Sequence, residues 1–233
     1  MTVRQKVAVF GASGAIGGAL TDWFLAHDYE VVAFNRTGVA PAGSNACWVA
    51  WDGVGAFPQL DEPSFNAAVW AQGANCSDDI RSFDLDAHQQ LYAANVTYIL
   101  LSLQALLRQN MFAPRARLCV ISSVWQNIAR QNKLSYCITK AALQGLVQSL
   151  TIDLGVEGHL INAVLPGALD TPMTRANLSD AQITRLEGMT PLGALPALTD
   201  VSNLVGFLCS PANTGITGQF VAADKGFSYA RIV

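Results

Sequence analysis

Tyr136 and Lys140 stand four positions apart in a stretch of helical periodicity, Lys133–Gly155, which places a phenol and an ammonium on one helix face. A cation beside a phenol favours the phenolate, so this spacing predicts a Tyr136 pKa drawn down from about 10 toward neutrality. Such a side chain can give a proton to a carbonyl oxygen or take one from an alcohol. The pair alone also occurs on ordinary solvated helices. Its weight comes from Ser122-Ser123, which closes the preceding apolar run. Ser123 lies 13 residues before Tyr136 and offers a hydroxyl to a substrate oxygen.

A second constellation lies near the N-terminus. Phe10-Gly11-Ala12-Ser13-Gly14-Ala15-Ile16-Gly17 follows a short apolar run and opens a helical one. In that context Gly11 permits a tight turn, Gly14 and Ala15 let backbone approach a pyrophosphate, and Gly17 lets the helix pack close to a strand. The backbone from Ser13 through Ile16 then faces the phosphates at the positive end of the helix dipole. The next apolar run ends in Phe34-Asn35-Arg36-Thr37, with no carboxylate to bind a free ribose 2′-hydroxyl. Asn35 and Arg36 offer donors and a positive charge instead, which suits a 2′-phosphate and therefore NADP(H). The competing reading is a solvated arginine at a strand end.

These groups need a scaffold that brings strand ends together. Val7–Phe10, Glu30–Phe34, Cys47–Trp51, Phe65–Trp70, Leu118–Ser122, Leu160–Leu165 and Phe220–Ala223 read as strands, and Ala15–His27, Phe83–Asn110, Lys133–Gly155 and Asp200–Cys209 as helices. Strands that are apolar throughout and alternate with helices imply an α/β fold: a Rossmann-type, doubly wound parallel sheet of about seven strands, covered on both faces. Residues 37–46 and 52–64 are too rich in Gly and Pro for helices. Residues 166–199 hold four prolines and read as a loop over the carboxyl ends of the strands.

The chain has 233 residues and is expected to form one domain, 1–233, with a core large enough to need no staple. Only 13% of residues are charged, and 14 basic against 17 acidic residues leave no basic surface for nucleic acid. Scarce charge points to apolar surface hidden in a homodimer or homotetramer, through the wide apolar faces of helices 83–110 and 133–155. The five cysteines, an odd number without CxxC spacing, read as reduced thiols in a cytoplasmic protein, and no metal motif is present. No signal peptide is expected, and the stretch Ala93–Leu107 reads as too short and too polar to span a membrane.

Taken in order, the motifs resemble those of the short-chain dehydrogenase/reductase family, in its compact branch similar to the 3-oxoacyl-carrier-protein reductases. Residues 11–17 resemble its TGxxxGxG turn, Ser123 with Tyr136 and Lys140 its Ser and YxxxK, Pro166–Met173 its PGxxxTxM segment, and Ile216–Gln219 with Asp224–Gly226 its ITGQ…DGG ending. The resemblance implies that Tyr136 is the general acid or base, that Lys140 holds the nicotinamide ribose and lowers the Tyr136 pKa, and that Ser123 orients the carbonyl. It implies that Asn95 anchors a water in a proton relay to Lys140, although an asparagine inside an apolar helix also suits a structural role. Asp52 and the adjoining Gly53 would meet the adenine, and Ala71 and Gly73 would flank the cofactor. Pro166, Gly167, Leu169 and Thr171 would lie against the nicotinamide.

Three departures stand out. Phe10 replaces a threonine that ties the turn to its neighbour, Trp70-Ala71-Gln72-Gly73 replaces NNAG, and segments 37–46 and 53–64 are shorter than the family's helical crossovers. The last predicts a sheet less covered near the adenine end. Trp125, Gln126 and Met173, with Ser123 and Tyr136, are candidates for the substrate wall. The expected activity is NADP(H)-dependent interconversion of a small-molecule carbonyl and a secondary alcohol. The alternative is a catalytically silent NADP(H)-binding sensor or scaffold. A nucleotide-sugar epimerase would need a further C-terminal substrate domain.

Overall fold

The computed structural model describes residues 4–60, 64–171, 174–175 and 178–229. Seven parallel strands, β1 (Lys6–Phe10), β2 (Glu30–Asn35), β3 (Cys47–Ala50), β4 (Phe65–Trp70), β5 (Phe112–Ile121), β6 (Leu160–Pro166) and β7 (Phe220–Ala223), form one sheet in the order β3-β2-β1-β4-β5-β6-β7. The order reverses between β1 and β4, which opens a crevice at their carboxyl ends. Helices α1 (Ala15–Ala26) and α6 (Leu198–Cys209) cover one face. The other carries α3 (Tyr98–Arg108) and α4 (Leu134–Gly155), and α2 (Leu85–Tyr92) packs against α4. Helix α5 (Asp180–Gly188) lies in the long segment after β6.

Most elements follow the sequence pattern, and the exceptions have local causes. Strand β5 begins six residues earlier than its apolar run, at Phe112, because Phe112 pairs with Phe65 before a register shift brings Arg117 opposite Ala67. Pro114 lies within this extension, where a proline breaks the sequence pattern of a strand. Helix α5 interrupts the segment expected to be loop. Its start is fixed by a capping box, with Ser179 accepting from the Gln182 amide and the Gln182 side chain accepting from the Ser179 amide. The long helix expected over 83–110 runs from Leu85 to Arg108 but contains a π-helical turn, Ala93–Thr97.

The stretch Ala93–Leu107 belongs to a 24-residue helical run, Leu85–Arg108, which by length and composition alone is long and apolar enough to cross a membrane. Its buried Val96, Ile99, Leu103 and Leu106 pack on the sheet, as those of a core helix do.

The departures at Phe10 and Trp70 prove to be one structural unit. The two residues face each other in register on β1 and β4, and Phe34 faces Phe10 on β2. The three rings stack across the sheet, with centroids 4.4 Å (Phe34–Phe10) and 5.5 Å (Phe10–Trp70) apart. The Trp70 indole N–H donates to Ser102 Oγ at 2.8 Å. The turn needs no threonine hydroxyl to hold it, because the Gly11 and Ala12 amides both donate to the Phe34 carbonyl at 3.1 Å.

The loop after β3 adds Trp51 and Phe57 to this stack. These rings cover β1 and β2 beside the cleft, whereas no residue of the edge strand β3 is buried. A cavity of about 900 Å³ opens at the amino ends of β1–β4, lined by Arg4, Lys6, Glu30, Cys47 and Phe65 among others.

Phe10→Thr and Trp70→Asn should each lower stability by about 4 kcal/mol, because each removes a fully buried ring. The double variant should lose at least about 1 kcal/mol less than the sum, since the rings touch. Urea unfolding of the four proteins checks this; strict additivity would mean that the rings do not act as a unit.

Candidate active site

Two regions meet at the carboxyl edge of the sheet. The first is a cleft of about 410 Å³ lined by the turn residues Gly11, Ser13 and Gly14, by Asn35, Arg36, Trp51 and Asp52, and by residues 71–74 with Ala94 and Tyr98. The turn is built so tightly that side chains are excluded. Gly11 has φ +74°, and a Cβ there would sit 2.5 Å from the Gln72 amide nitrogen. A Cβ on Gly17 would collide with the Gly11 carbonyl oxygen. Helix α1 starts at Gly14 with no side-chain cap and no acidic residue in its first turn. Its first amides, around Ala15 and Ile16, are therefore left for an anion at the positive end of the helix dipole. This cradle and its free amides fit the pyrophosphate of a dinucleotide.

Arg36 is exposed at the cleft and enters no ion pair among the described residues. Asn35, expected to offer donors to a 2′-phosphate, is otherwise engaged. Its Oδ1 accepts from the Thr37 and Gly38 amides and its Nδ2 donates to the Val39 carbonyl, so it shapes the turn. Asp52 likewise holds its own loop, its Oδ1 accepting from the Val54 and Gly55 amides, and these bonds keep its carboxyl below the usual range. Gly53 packs on the Tyr98 ring.

The second region joins the cleft through Gly73, where a Cβ would lie 3.2 Å from Asn95 Oδ1 and 3.8 Å from Lys140 Nζ. Ser123 follows β5, while Tyr136 and Lys140 rise from the first turns of α4. The Lys140 ammonium is buried, donates to the Ile121 carbonyl at 3.1 Å and lies 5.7 Å from the centre of the Tyr136 ring. Burial lowers its pKa to about 8. The Tyr136 phenol does not follow the expected downward shift. Burial raises its pKa, hydrogen bonding by Ser123 offsets part of that rise, and Cys137 adds to it. The ammonium sits against a ring face and a carbonyl rather than at the phenol oxygen, so desolvation prevails.

Asn95 occupies the π-helical turn and is almost fully buried. Its Oδ1 accepts from the Ala74 amide at 2.7 Å, and its Nδ2 donates to the Ala74 carbonyl and to Thr139 Oγ1. The side chain thus ties residues 73–74, α3 and α4 together, which is the structural role left open by the sequence. Below it, Lys133 Nζ reaches Asn75 Oδ1, the Cys76 carbonyl and Ser77 Oγ, pinning the loop after β4 to the start of α4. Sequence reasoning missed Lys133, whose only signal was a cation three residues before Tyr136.

Beyond β6, the Gly167 amide donates to the Ala223 carbonyl, Leu169 packs on the α1–α6 side of the sheet, and Thr171 Oγ1 contacts Thr174 Oγ1 at 3.0 Å. Pro166 closes β6 opposite Ala223. Of the substrate-wall candidates, Trp125 is half-buried and meets Phe227 edge-on, whereas Gln126 is buried with its Oε1 accepting from Ser122 Oγ, facing inward. Met173 lies outside the described residues.

Comparison with known proteins agrees with this architecture. A family described as Enoyl-(Acyl carrier protein) reductase matches residues 53–228. A 3-oxoacyl-[acyl-carrier-protein] reductase of Aquifex aeolicus is 33% identical over 96% of this chain and 90% of its own length. A cis-4-hydroxycyclohexanecarboxylate dehydrogenase of Sinomonas cyclohexanicum is 26% identical over 96% of this chain and 97% of its own. The structure of ElxO with NADP bound superposes with a TM-score of 0.83 at 20% identity, covering 97% of this chain and 99% of that one, a likeness of fold.

Lys140 gives the site a stability signature. A lysine with a folded pKa near 8 destabilises the fold while it is charged, and this cost is relieved as pH rises from about 8 to the unfolded value near 10.5. Wild type should therefore gain about 3 kcal/mol relative to Lys140→Met across that window. Urea unfolding at several pH values reads the difference, and a flat difference would mean that the ammonium is well solvated.

With the match over 53–228 and the Aquifex relative at 33% identity, the chain belongs to the short-chain dehydrogenase/reductase family of oxidoreductases, whose members bind a nicotinamide cofactor.

Proposed function

We propose that this chain, as a single domain over 1–233, is an NADP(H)-dependent oxidoreductase that interconverts a carbonyl and a secondary alcohol. The observation that carries the reading is the meeting of Ser123, Tyr136 and Lys140 at the inner end of a cleft shaped for a dinucleotide. The cofactor, when bound, supplies or accepts the hydride. Gly11, Ser13 and Gly14 with the first amides of α1 hold its phosphates, and Arg36 meets the 2′-phosphate. Asp52 with Gly53 borders the adenine, Ala71 and Gly73 border the middle of the cleft, and Pro166, Gly167, Leu169 and Thr171 flank the nicotinamide.

Within this reading Tyr136 protonates the carbonyl oxygen during reduction. Its raised pKa keeps the phenol protonated in the free protein, which suits a general acid. Ser123 holds the same oxygen by hydrogen bonding. Lys140, with a pKa of about 8, is poised to exchange a proton near neutral pH and so to recharge Tyr136. Asn95 keeps Gly73 and the Lys140 helix in register. Trp125 and the described part of the segment after β6 form the substrate side, while Gln126 supports it from within through Ser122.

The same reading includes a homo-oligomer and a cytoplasmic location. The exposed Leu100, Leu101, Ile138 and Ile152 on α3 and α4 support the first, and five unpaired cysteines suit a reducing compartment.

NADPH oxidation over a panel of 3-oxoacyl and enoyl thioesters, keto-sugars, cyclic ketones and aldehydes tests the activity. Tyr136→Phe should lower turnover of the responding substrate by about 10³-fold while NADPH still binds. Unchanged turnover in that variant would remove Tyr136 from the mechanism, and NADPH binding without any turnover would favour the sensor reading. Separately, Arg36→Asp should cut the preference for NADPH over NADH by about 10-fold or more, read from kcat/KM for each cofactor. An unaltered ratio would mean that another group meets the 2′-phosphate.

A further inference from the structure

The buried amides around the cleft are satisfied with one exception. Asn35, Asn95 and Gln126 use their polar side-chain atoms on named partners. Gln72 does not. Both Oε1 and Nε2 of its side chain are buried and have no hydrogen-bond partner, and among the described residues only Gln5 Oε1 shares that condition. Gln72 lines the dinucleotide cleft. Its backbone is locked against Gly11, so the residue has little freedom to withdraw from this position.

A buried amide without partners is unfavourable unless something completes it. Both atoms are orphaned, so one group that donates as well as accepts would complete them. Pyrophosphate oxygens only accept, and would leave Oε1 facing negative charge. A ribose hydroxyl does both. We infer that Gln72 is a cofactor-recognition residue whose side-chain amide hydrogen-bonds a ribose hydroxyl of the bound dinucleotide. This rests on the dinucleotide reading of the cleft. Either ribose has the required chemistry: the adenosine ribose, toward Arg36 and Asp52, or the nicotinamide ribose, toward Gly73 and Lys140.

Equilibrium binding separates the possibilities without recourse to turnover. Quenching of tryptophan fluorescence, with Trp51 in the cleft, would give Kd values for NADPH, adenosine 2′,5′-bisphosphate and reduced nicotinamide mononucleotide. The proteins are wild type, Gln72→Met, which keeps the length but not the hydrogen bonds, and Gln72→Glu, which keeps the shape but loses the donor. Removing an orphaned amide should leave the ligand-free Tm of Gln72→Met equal to or above that of wild type. Its Kd for NADPH should nonetheless rise about 10-fold, as the loss of two hydrogen bonds implies.

The same loss should appear with one fragment and not the other, naming the ribose. Gln72→Glu should also bind more weakly, and it serves alone if Gln72→Met does not fold. Variants that bind NADPH within about 2-fold of wild type would overturn the inference. If wild type binds neither NADPH nor NADH, the dinucleotide reading itself fails, and this inference with it.

Discussion

At Gly11 the chain passes so close to itself that no side chain can intervene, and the geometry of the cleft follows from that contact. A Cβ on Gly11 would strike the backbone of Gln72, and one on Gly17 would strike Gly11 in turn. The end of β1, the end of β4 and the start of α1 are thereby held within a van der Waals shell of one another. Because β1 and β4 flank the reversal of strand order, this is also where the crossovers diverge and a crevice must open. The contact places unpaired helix amides on one side of that crevice and the segment 71–74 on the other. Gly73 then carries the cleft to Asn95 and Lys140.

The chemistry at the inner end depends on burial more than on charge pairing. Lys140 is held out of water by a single carbonyl contact and a tyrosine ring, which brings its pKa toward the working range. The same burial raises Tyr136, so the phenol rests in its proton-donating form. An exposed Tyr–Lys pair with identical spacing would have neither property. Asn95 and Lys133 contribute by fixing the backbone around the pair: one clamps residues 73–74 and α4, and the other fastens the loop 75–77 to the start of α4.

The seven strands, the parallel doubly wound class and the candidate site were legible because they are written in local signals: uniformly apolar runs, a glycine turn between strand and helix, and a serine placed before a helical Tyr–Lys pair. The direction of the Tyr136 shift was not, because it depends on how much water the folded site excludes, which spacing does not report. Asn35 is a similar case, since a side chain that can bind a phosphate can equally close its own turn. The aromatic stack shows the opposite case. Phe10 and Trp70 looked like two unrelated losses of polar contacts until the register made them neighbours. Helix α5 could have been found from Ser179 and Gln182, whose spacing is a capping box.

The central claim is that the cleft delivers a hydride to a carbonyl carbon while Tyr136 supplies the proton. It is tested most directly by tracing label from NADPH deuterated at C4 of the nicotinamide into the product of whichever carbonyl compound responds. The account predicts one deuterium on the carbinol carbon, from one face of the cofactor only, with the hydroxyl hydrogen drawn from solvent. Tight NADPH binding with no deuterium transferred to any carbonyl carbon would contradict it, and would leave a protein that holds the cofactor without using it.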